Sequence, residues 1–285
     1  MTLPIFRRAL SRYAAAAAVL AAVTLAAGCS DNPEAAAPAT TPSTTTASAT
    51  AVPPPPAPPA HACYDLAFRD VLEPTNDATQ VPCTSPHTTQ TVQVGRIDPV
   101  VDGHLLAVDS ARVQQRIADS CRGQVAAHLG GSQAARRLSR FEAVWFSPTL
   151  DQSDAGALWF RCDLTLVSRP ETLGRLPART RGVLGRPGAL DTYGTCGTTS
   201  PAAPGFRRVA CSQPHKWRAR AALDLPPRAK YLGKAANSAA DARCRAIETG
   251  LAGDSLKLRW SFEWPTRAQW NAGQRYGLCW TPDPA

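Results

Sequence analysis

The chain has 285 residues, a net charge of +9 and nine cysteines. Its uncharged, alanine-rich run from Tyr13 to Ala27 is shorter than the roughly 20 apolar residues that a membrane-spanning helix needs. Length and composition therefore exclude a spanning helix at this end of the chain and favour a segment that is removed on export.

The first 28 residues are predicted to be a signal peptide. Three arginines precede the alanine-rich run, and small residues stand before Cys29, which is the arrangement of an export signal. The stretch "LAAGCS" is similar to the lipobox of bacterial lipoproteins, although Ala26 occupies the position of the usual leucine. We therefore expect Cys29 to be lipidated, with palmitate among its acyl chains, and to anchor the protein in the cell membrane on the extracytoplasmic face. Secretion without lipid is the alternative.

A spacer is predicted from residue 29 to residue 60. It consists almost wholly of Ala, Pro, Thr and Ser, and it ends in "VPPPPAPP". Such a segment has too little large apolar surface to offset the entropy lost on ordering, and consecutive prolines favour an extended left-handed helix. We expect a disordered tether that lifts the folded region off the membrane.

The cysteines beyond Cys29 are expected to be oxidised, because thiols outside the cytosol normally form disulfides. Their number is even, which is typical of a disulfide framework. They are Cys63, Cys83, Cys121, Cys162, Cys196, Cys211, Cys244 and Cys279.

An internal repeat divides these cysteines into two sets of four. The stretch "VPCTSPH" around Cys83 has a near copy in "VACSQPH" around Cys211, and "SPTLDQSDAGALWFRC" aligns without a gap with "WPTRAQWNAGQRYGLC". Self-similarity of this kind indicates a duplicated structural unit. We predict one domain over 61–167 and a second over 190–281.

Two further segments complete the predicted organisation. An arginine-rich connector is predicted over 168–189, between the two domains, and a short tail over 282–285. Each predicted domain has about the length at which one core buries limited surface, so disulfides contribute usefully to its stability.

The elements of the first domain follow from periodicity and composition. Apolar residues recur every four positions in one stripe that includes the third cysteine of the set, which predicts a helix whose cysteine faces the core. Aromatic and β-branched runs predict strands. Strands are expected around Cys83 and over 88–94, the main helix over 109–129, and strands over 144–146 and 157–167.

The second domain is predicted to repeat this pattern. Its main helix is expected over 237–251 and a strand over 258–262, and one or two helical turns are expected before the last cysteine of each domain. The predicted fold class is α+β, with two tandem small disulfide-stapled domains. Each would be an antiparallel sheet with one main helix and one short helix.

Three pairings of the four cysteines stay open within each domain if no disulfide joins the two domains. We favour pairing the first cysteine with the second and the third with the fourth, because neighbouring strands can bring the first two together. The helical cysteine would then join the main helix to the last strand. The favoured pairs are Cys63–Cys83, Cys121–Cys162, Cys196–Cys211 and Cys244–Cys279.

The repeated Cys-x-x-Pro-His motif raises two sharp hypotheses, a zinc site and a cysteine–histidine nucleophile. A structural zinc needs four ligands, and both chemistries need a free thiolate. We expect neither, and we predict no catalytic residue, no metal site and no cofactor. His87 and His215 are expected to have a structural role, in which the imidazole forms a hydrogen bond across the turn that the proline starts, or to contact a partner.

The positive charge is concentrated in the second half. Residues 61–166 contain 9 basic and 12 acidic residues, whereas residues 167–285 contain 19 basic and 8 acidic residues. Outside the membrane, a basic second domain would attract anionic wall polymers or division proteins, and nucleic acid is not an expected partner. There are two alternatives: the arginines are solvated surface residues without a partner, or the acidic first domain docks on the basic second one.

The motifs together resemble a known family. The Pro-His elements, the helical cysteines and the ending "FEWPTRAQWNAGQRYGLCW" look like the septum formation domain of actinobacterial envelope proteins. The resemblance covers both units, and the first unit departs from it by having Ser153 and Asp154 where the second has Trp270 and Asn271. It implies a link to cell division but supplies no catalytic residues.

We therefore expect a non-enzymatic, membrane-anchored envelope lipoprotein that acts as a binding or scaffold module in cell division or wall assembly. The alternatives are an envelope enzyme such as a hydrolase and a carrier of a small ligand. The sequence has no Gly-x-Ser-x-Gly or His-Glu-x-x-His motif, and no carboxylate pair recurs in both units.

Overall fold

The computed structural model describes residues 53–225, 230–231, 238–251 and 259–283. The predicted signal peptide, Cys29 and the first part of the predicted spacer lie outside these residues, as do the last two residues of the chain. The described residues belong to one compact unit. None of the helices in this part of the chain combines the length and the apolar character that crossing a membrane requires.

The first half of the described chain contains one five-stranded antiparallel sheet. Its elements are β1 (Cys63–Tyr64), β2 (Thr89–Arg96), β3 (Val100–Val101), β4 (His104–Leu105), α1 (Ala111–Leu129), α2 (Gln133–Leu138), β5 (Phe141–Phe146), α3 (Leu150–Asp154), β6 (Trp159–Arg169) and β7 (Thr172–Gly174). The strand order is β1-β2-β6-β5, with β7 paired to β6, while β3 and β4 form a separate hairpin.

The second half contains another five-stranded antiparallel sheet. Its elements are α4 (Ala189–Tyr193), β8 (Thr195–Gly197), β9 (Arg208–Ala210), β10 (Trp217–Asp224), α5 (Ser238–Leu251), β11 (Ser261–Glu263), α6 (Arg267–Asn271) and β12 (Tyr276–Pro282). The strand order is β11-β12-β10-β8-β9. The fold is therefore α+β and stapled by disulfides, as the sequence predicts.

Four strands of the first sheet, in the order β1-β2-β6-β5, correspond in order and register to β8-β10-β12-β11 of the second, whereas β7 and β9 do not correspond to each other. In the first, Cys162 of β6 lies opposite Trp145 of β5, and in the second Cys279 of β12 lies opposite Phe262 of β11. The pairing of β2 with β6 shifts register after Thr91, and the pairing of β10 with β12 shifts at the aligned position, after Ala219. Such a bulge is a specific local feature, so its recurrence extends the sequence repeat to the backbone.

Two local signals in the sequence explain the helices that carry the disulfides. The stripe of α1 that includes Val113, Ile117 and Cys121 is buried, and the helix ends at Gly130, whose positive φ of 66° suits a residue without a side chain. Both short helices, α3 and α6, begin with the same capping box, in which a threonine hydroxyl and a glutamine amide satisfy backbone groups of the first turn.

The arginine-rich segment predicted as a connector is part of the fold. Its β7 strand pairs with β6, and Leu176, Val183 and Leu184 are buried in the same core cluster as Val125 of α1. Residues 168–189 lie between the two sheets in sequence, as predicted for a connector, and they also pack into the core. The few apolar residues between the arginines are sufficient to fasten the segment, because each one fills the core beside α1.

Helix α2, which the sequence analysis does not predict, joins the two halves. Its last residue, Leu138, packs in one cluster with Leu278 and Trp280 of the second sheet. The Arg137 guanidinium lies 2.7 Å from the carboxylate of Asp224 and 4.4 Å from the ring centre of Tyr276. In this ion pair the basic residue comes from the first half and the acidic residue from the second. The alternative of an acidic first domain docked on a basic second one would place the charges the other way round.

Two smaller differences concern loops. Cys83 lies in a turn and not in a strand, and the only pairing near it in the described structure is an isolated bridge from Val81 to Cys63. The end of the predicted spacer, residues 53–60, lies against the folded region. Pro55 and Pro58 are half-buried there, at the spacing of one face of an extended proline helix.

Candidate functional site

The four disulfides are those favoured from the spacing. Helix α1 is joined to β6 and α5 to β12, and the first strand of each half is joined to the Pro-His turn. Because all eight sulfurs are consumed, none of these cysteines can act as a thiolate nucleophile or metal ligand. Each disulfide lies within one half, and the cysteines of each motif therefore have a structural role.

Each histidine of the repeated motif folds back over its own turn. Nδ1 of His87 donates to the carbonyl oxygen of Ser85 at 2.8 Å, and Nδ1 of His215 donates to that of Gln213 at 2.7 Å. A carbonyl can only accept, so Nδ1 carries the proton in both rings. The proline between these residues cannot donate from its backbone nitrogen, and the imidazole supplies the bond that shapes the turn.

The two turns differ in what surrounds them. His87 is only 2 % exposed, and its backbone carbonyl accepts from the N–H of Leu176 in the arginine-rich segment. His215 is half-buried, and its Nε2 lies 3.3 Å from Oδ2 of Asp283. Both ring nitrogens of His215 therefore face oxygen atoms, the carbonyl of Gln213 and the carboxylate of Asp283. The first turn is buried scaffolding and the second forms part of a charged cluster.

Asp283 is the centre of that cluster. Its carboxylate also contacts Nη2 of Arg220 at 2.9 Å and Nε of Arg218 at 2.6 Å. Burial alone would raise the pKa of Asp283, but Arg220, Arg218 and the hydrogen bond from His215 outweigh it, and the net effect lowers the pKa. The position belongs to the predicted tail over 282–285, yet it ties the end of β12 to the second Pro-His turn.

The cluster does not fit a metal ion. Cys196, His215 and Asp283 bring potential ligand atoms within 4.8 Å of one another in the described part of the chain. The sulfur of Cys196 is bonded to Cys211, however, and so is not a thiolate. The carboxylate of Asp283 already contacts the imidazole and two arginines, so a cation would meet neighbouring positive charges.

We expect Asp283→Asn to lower the free energy of unfolding by about 1–3 kcal/mol at pH 7, because it weakens charge-assisted bonds to three partners. The folded-state pKa lies below the ordinary value of 3.8, so the contribution is present above that pH and is lost as the pH falls through the folded-state pKa. Urea unfolding at pH 7 and pH 3 measures both effects.

The matched control for this prediction is Asp224→Asn. Asp224 also pairs with an arginine, but its side chain is 71 % exposed, and such pairs contribute about 1 kcal/mol or less. Equal losses in the two variants would contradict the structural role of Asp283.

The basic residues predicted to attract a partner fall into two groups. Arg208, Arg218 and Arg220 are bound to carboxylates within the second half. A second group is exposed and makes no ion pair with any described residue. It consists of Arg169, Arg175, Arg179, Arg181, Arg186, Arg207 and Lys216.

Five of these exposed residues come from the arginine-rich segment, which we call the arginine segment, residues 169–186. Buried Leu176, Thr180 and Val183 alternate with its arginines and hold its backbone against the core. The arginines thus project from an ordered surface, at positions such as Arg175 and Arg179. The charge is evident from the sequence but this support is not, because three scattered buried residues carry no periodic signal.

Comparison with known proteins gives one positive result. A family model described as septum formation matches residues 60–279, a range that contains all eight paired cysteines and both Pro-His turns. No curated protein and no solved structure matches the chain significantly.

Proposed function

We propose that this protein, which belongs to the septum formation family, is a lipid-anchored envelope protein that binds anionic wall polymer through its arginine segment. Family membership indicates a role in cell division or in the envelope. In this proposal Cys29 holds the protein on the extracytoplasmic face of the membrane, and the spacer carries the folded unit toward the wall.

The proposed role is that of a binding or scaffold module and not of an enzyme. The groups best suited to catalysis are engaged elsewhere, because the cysteines form disulfides and each histidine of the repeated motif binds its own turn. The matching strand order, bulges and capping boxes support a duplicated unit, in which the two copies have kept the scaffold and diverged on the surface.

The observation that carries the proposal is the exposure of the arginine segment. Arg175, Arg179 and Arg181 are exposed and have no ion pair within the described residues, whereas the exposed arginines of α1 are paired with aspartates. Unpaired guanidinium groups attract carboxylates and phosphates over about a Debye length. Wall polymers that carry these groups lie within reach of a protein tethered outside the membrane.

We expect the full exported chain to sediment with purified cell wall at low salt and to be released as salt rises. Replacing Arg175, Arg179 and Arg181 together with glutamine should weaken this binding about tenfold or more, since three unpaired charges are lost. Co-sedimentation across a salt series measures the effect.

The matched control replaces three paired arginines of α1, Arg112, Arg116 and Arg122, with glutamine. It removes the same number of charges, but these arginines already face Asp102, Asp98 and Asp119. The proposal fails if both triple variants bind alike, or if binding to the wall does not depend on salt.

Membrane attachment has its own test. Cys29→Ser should move the protein from the membrane fraction to the soluble fraction, because two acyl chains are needed for stable anchoring and the serine accepts none. Radiolabelled palmitate should be incorporated only into the chain with Cys29. Retention of the serine variant on membranes would contradict lipid anchoring at this residue.

A further inference from the structure

A cavity of about 570 Å³ lies between the two halves of the described unit. Its walls come from the loop after β1, the end of β6, the turn before β7, the loop before β9, and helix α6. The volume falls within the range of about 300–1,000 Å³ that is typical of small-ligand sites. Neither half forms the cavity alone, so it exists only in the assembled pair.

Most of the cavity wall is apolar. The apolar residues are Phe68, Leu72, Val167, Pro170 and Phe206. Phe206 is held by an edge-on contact with buried Trp280, with ring centres 5.3 Å apart, so this side of the wall is fixed. A surface of this kind accommodates hydrocarbon and leaves water there poorly bound.

Charged groups form part of the cavity lining. Arg208 binds both carboxylate oxygens of Glu263, with Nε 3.1 Å from each, and Trp280 donates to the same carboxylate. Arg140 is 2 % exposed and donates from Nε to the carbonyl oxygen of Val167 at 2.9 Å. Burial lowers the pKa of Arg140 to about 10, so this side chain stays charged at neutral pH.

The balance of charge around the cavity is positive. Three arginines and two glutamates line it, and Arg207 at its edge is exposed and makes no ion pair with the residues that the structure describes. The Arg208–Glu263 pair neutralises itself. An anionic group that enters the cavity can pair with Arg207 and has to lie away from Glu171, which is also exposed in the lining, while the rest of the same molecule lies against apolar walls.

We propose that this cavity binds a single-chain amphiphile with an anionic head group, either a carboxylate or a phosphate, and a hydrocarbon chain. The head group lies beside Arg207, and the chain lies along Phe68, Leu72 and Phe206. This activity is separate from binding of wall polymer, because none of the arginines tested for that role lines the cavity.

The test uses the full exported chain with Cys29→Ser, so that no detergent is needed. Calorimetric titration below the micelle concentration compares dodecanoate, dodecyl phosphate and dodecyltrimethylammonium. We expect saturable binding of at least one anionic probe, with one molecule per chain. The cationic probe, with the same chain length, should bind about tenfold more weakly or not at all. The stronger of the two anions identifies the preferred head group.

Two substitutions separate the contributions of head group and chain. Arg207→Glu should weaken binding of the anionic probes about tenfold or more, because it reverses the charge at the edge. Phe68→Ala should weaken binding of the anionic probes, because it removes part of the apolar wall. It should not strengthen binding of the cationic probe. Arg96→Glu is the control, since it makes the same charge change at an exposed arginine outside both the cavity and the arginine segment, and it should leave the affinity unchanged.

The proposal is overturned if neither anionic probe binds saturably, if the cationic probe binds equally well, or if Arg207→Glu and Arg96→Glu have the same effect. Circular dichroism of each variant verifies folding. Failure of this test leaves the wall-binding result unaffected, because that experiment uses different residues and a different ligand.

Discussion

Replacing Arg161 with leucine is expected to lower the free energy of unfolding by about 3–5 kcal/mol at pH 7. The Arg161 side chain is 2 % exposed, and its Nε lies 3.3 Å from Oδ2 of Asp163, which is fully buried. Loss of the guanidinium leaves that carboxylate in the protein interior with the hydroxyl of Thr91 as its hydrogen-bond partner, at 2.8 Å. Chemical denaturation at pH 7 measures the change.

The same variant should recover part of its stability in acid. Burial raises the pKa of Asp163 to about 6, against the opposing effects of Arg161 and the Thr91 hydrogen bond. The ordinary value is 3.8, so the folded state holds this proton more tightly, and the free energy of unfolding falls as the pH rises from about 4 to about 6. Without Arg161 the ionised form of Asp163 is still less favoured in the folded state, because the neighbouring positive charge is gone. The variant should therefore be more stable at pH 5 than at pH 7.

The second sheet provides the matched comparison for this pair. Leu278 and Trp280 lie at the register positions of Arg161 and Asp163, so the fold accepts apolar residues there. We expect the double variant Arg161→Leu/Asp163→Asn to recover more than half of the loss, because it buries no charge. Asp163→Asn alone should cost less than Arg161→Leu, since the guanidinium keeps Asn76 and lies between the rings of Tyr64 and Phe146. Equal losses in all three variants would contradict this account.

Removing the Cys121–Cys162 disulfide by a double alanine substitution is expected to cost about 4 kcal/mol. The bond closes a loop over a sequence separation of 41 and restricts the unfolded chain accordingly. Both cysteines are fully buried between α1 and β6, so their replacement also leaves a void in that core. Urea unfolding of the variant under non-reducing conditions measures the loss.

The Cys63–Cys83 disulfide is the internal control. It closes a shorter loop, over a separation of 20, and Cys83 lies half-buried in a surface turn. Its removal should cost about 3 kcal/mol, with little contribution from a void. A larger loss for Cys63–Cys83 than for Cys121–Cys162 would show that the helix-to-strand bond is not the principal staple of the first half.

Much of the fold could be predicted because its signals are local. The stripe of α1 places Cys121 in the core by its spacing alone, and the repeated "PT" motifs indicate the capped turns before Cys162 and Cys279. The packing of the arginine segment against the core could not be predicted, for the opposite reason. Its buried residues, such as Leu176 and Val183, are isolated between charges, and only the neighbouring face of α1 explains why they are apolar.

The candidate sites were less predictable, since each combines residues that are distant in sequence. The sequence identified His215 from its repeat, but not Asp283, which has no partner in the motif and reaches the turn only through the end of β12. The cavity between the halves likewise combines the loop after β1, the end of β6, the loop before β9 and α6, which are distant in sequence. A site whose residues come from several elements leaves no pattern in the sequence of any one of them.

The sequence by itself indicated the α+β class and favoured the disulfide pairs that the structure contains, because cysteine spacing and helical periodicity are read within short windows. Export and anchoring stay predictions from the N-terminal pattern. Tertiary structure alone decided how the two halves meet, which arginines stay exposed, and where charge and apolar surface converge on one cavity. The physical reason is that burial and ion pairing depend on neighbours across the fold, and those neighbours are fixed only when the sheets pack together.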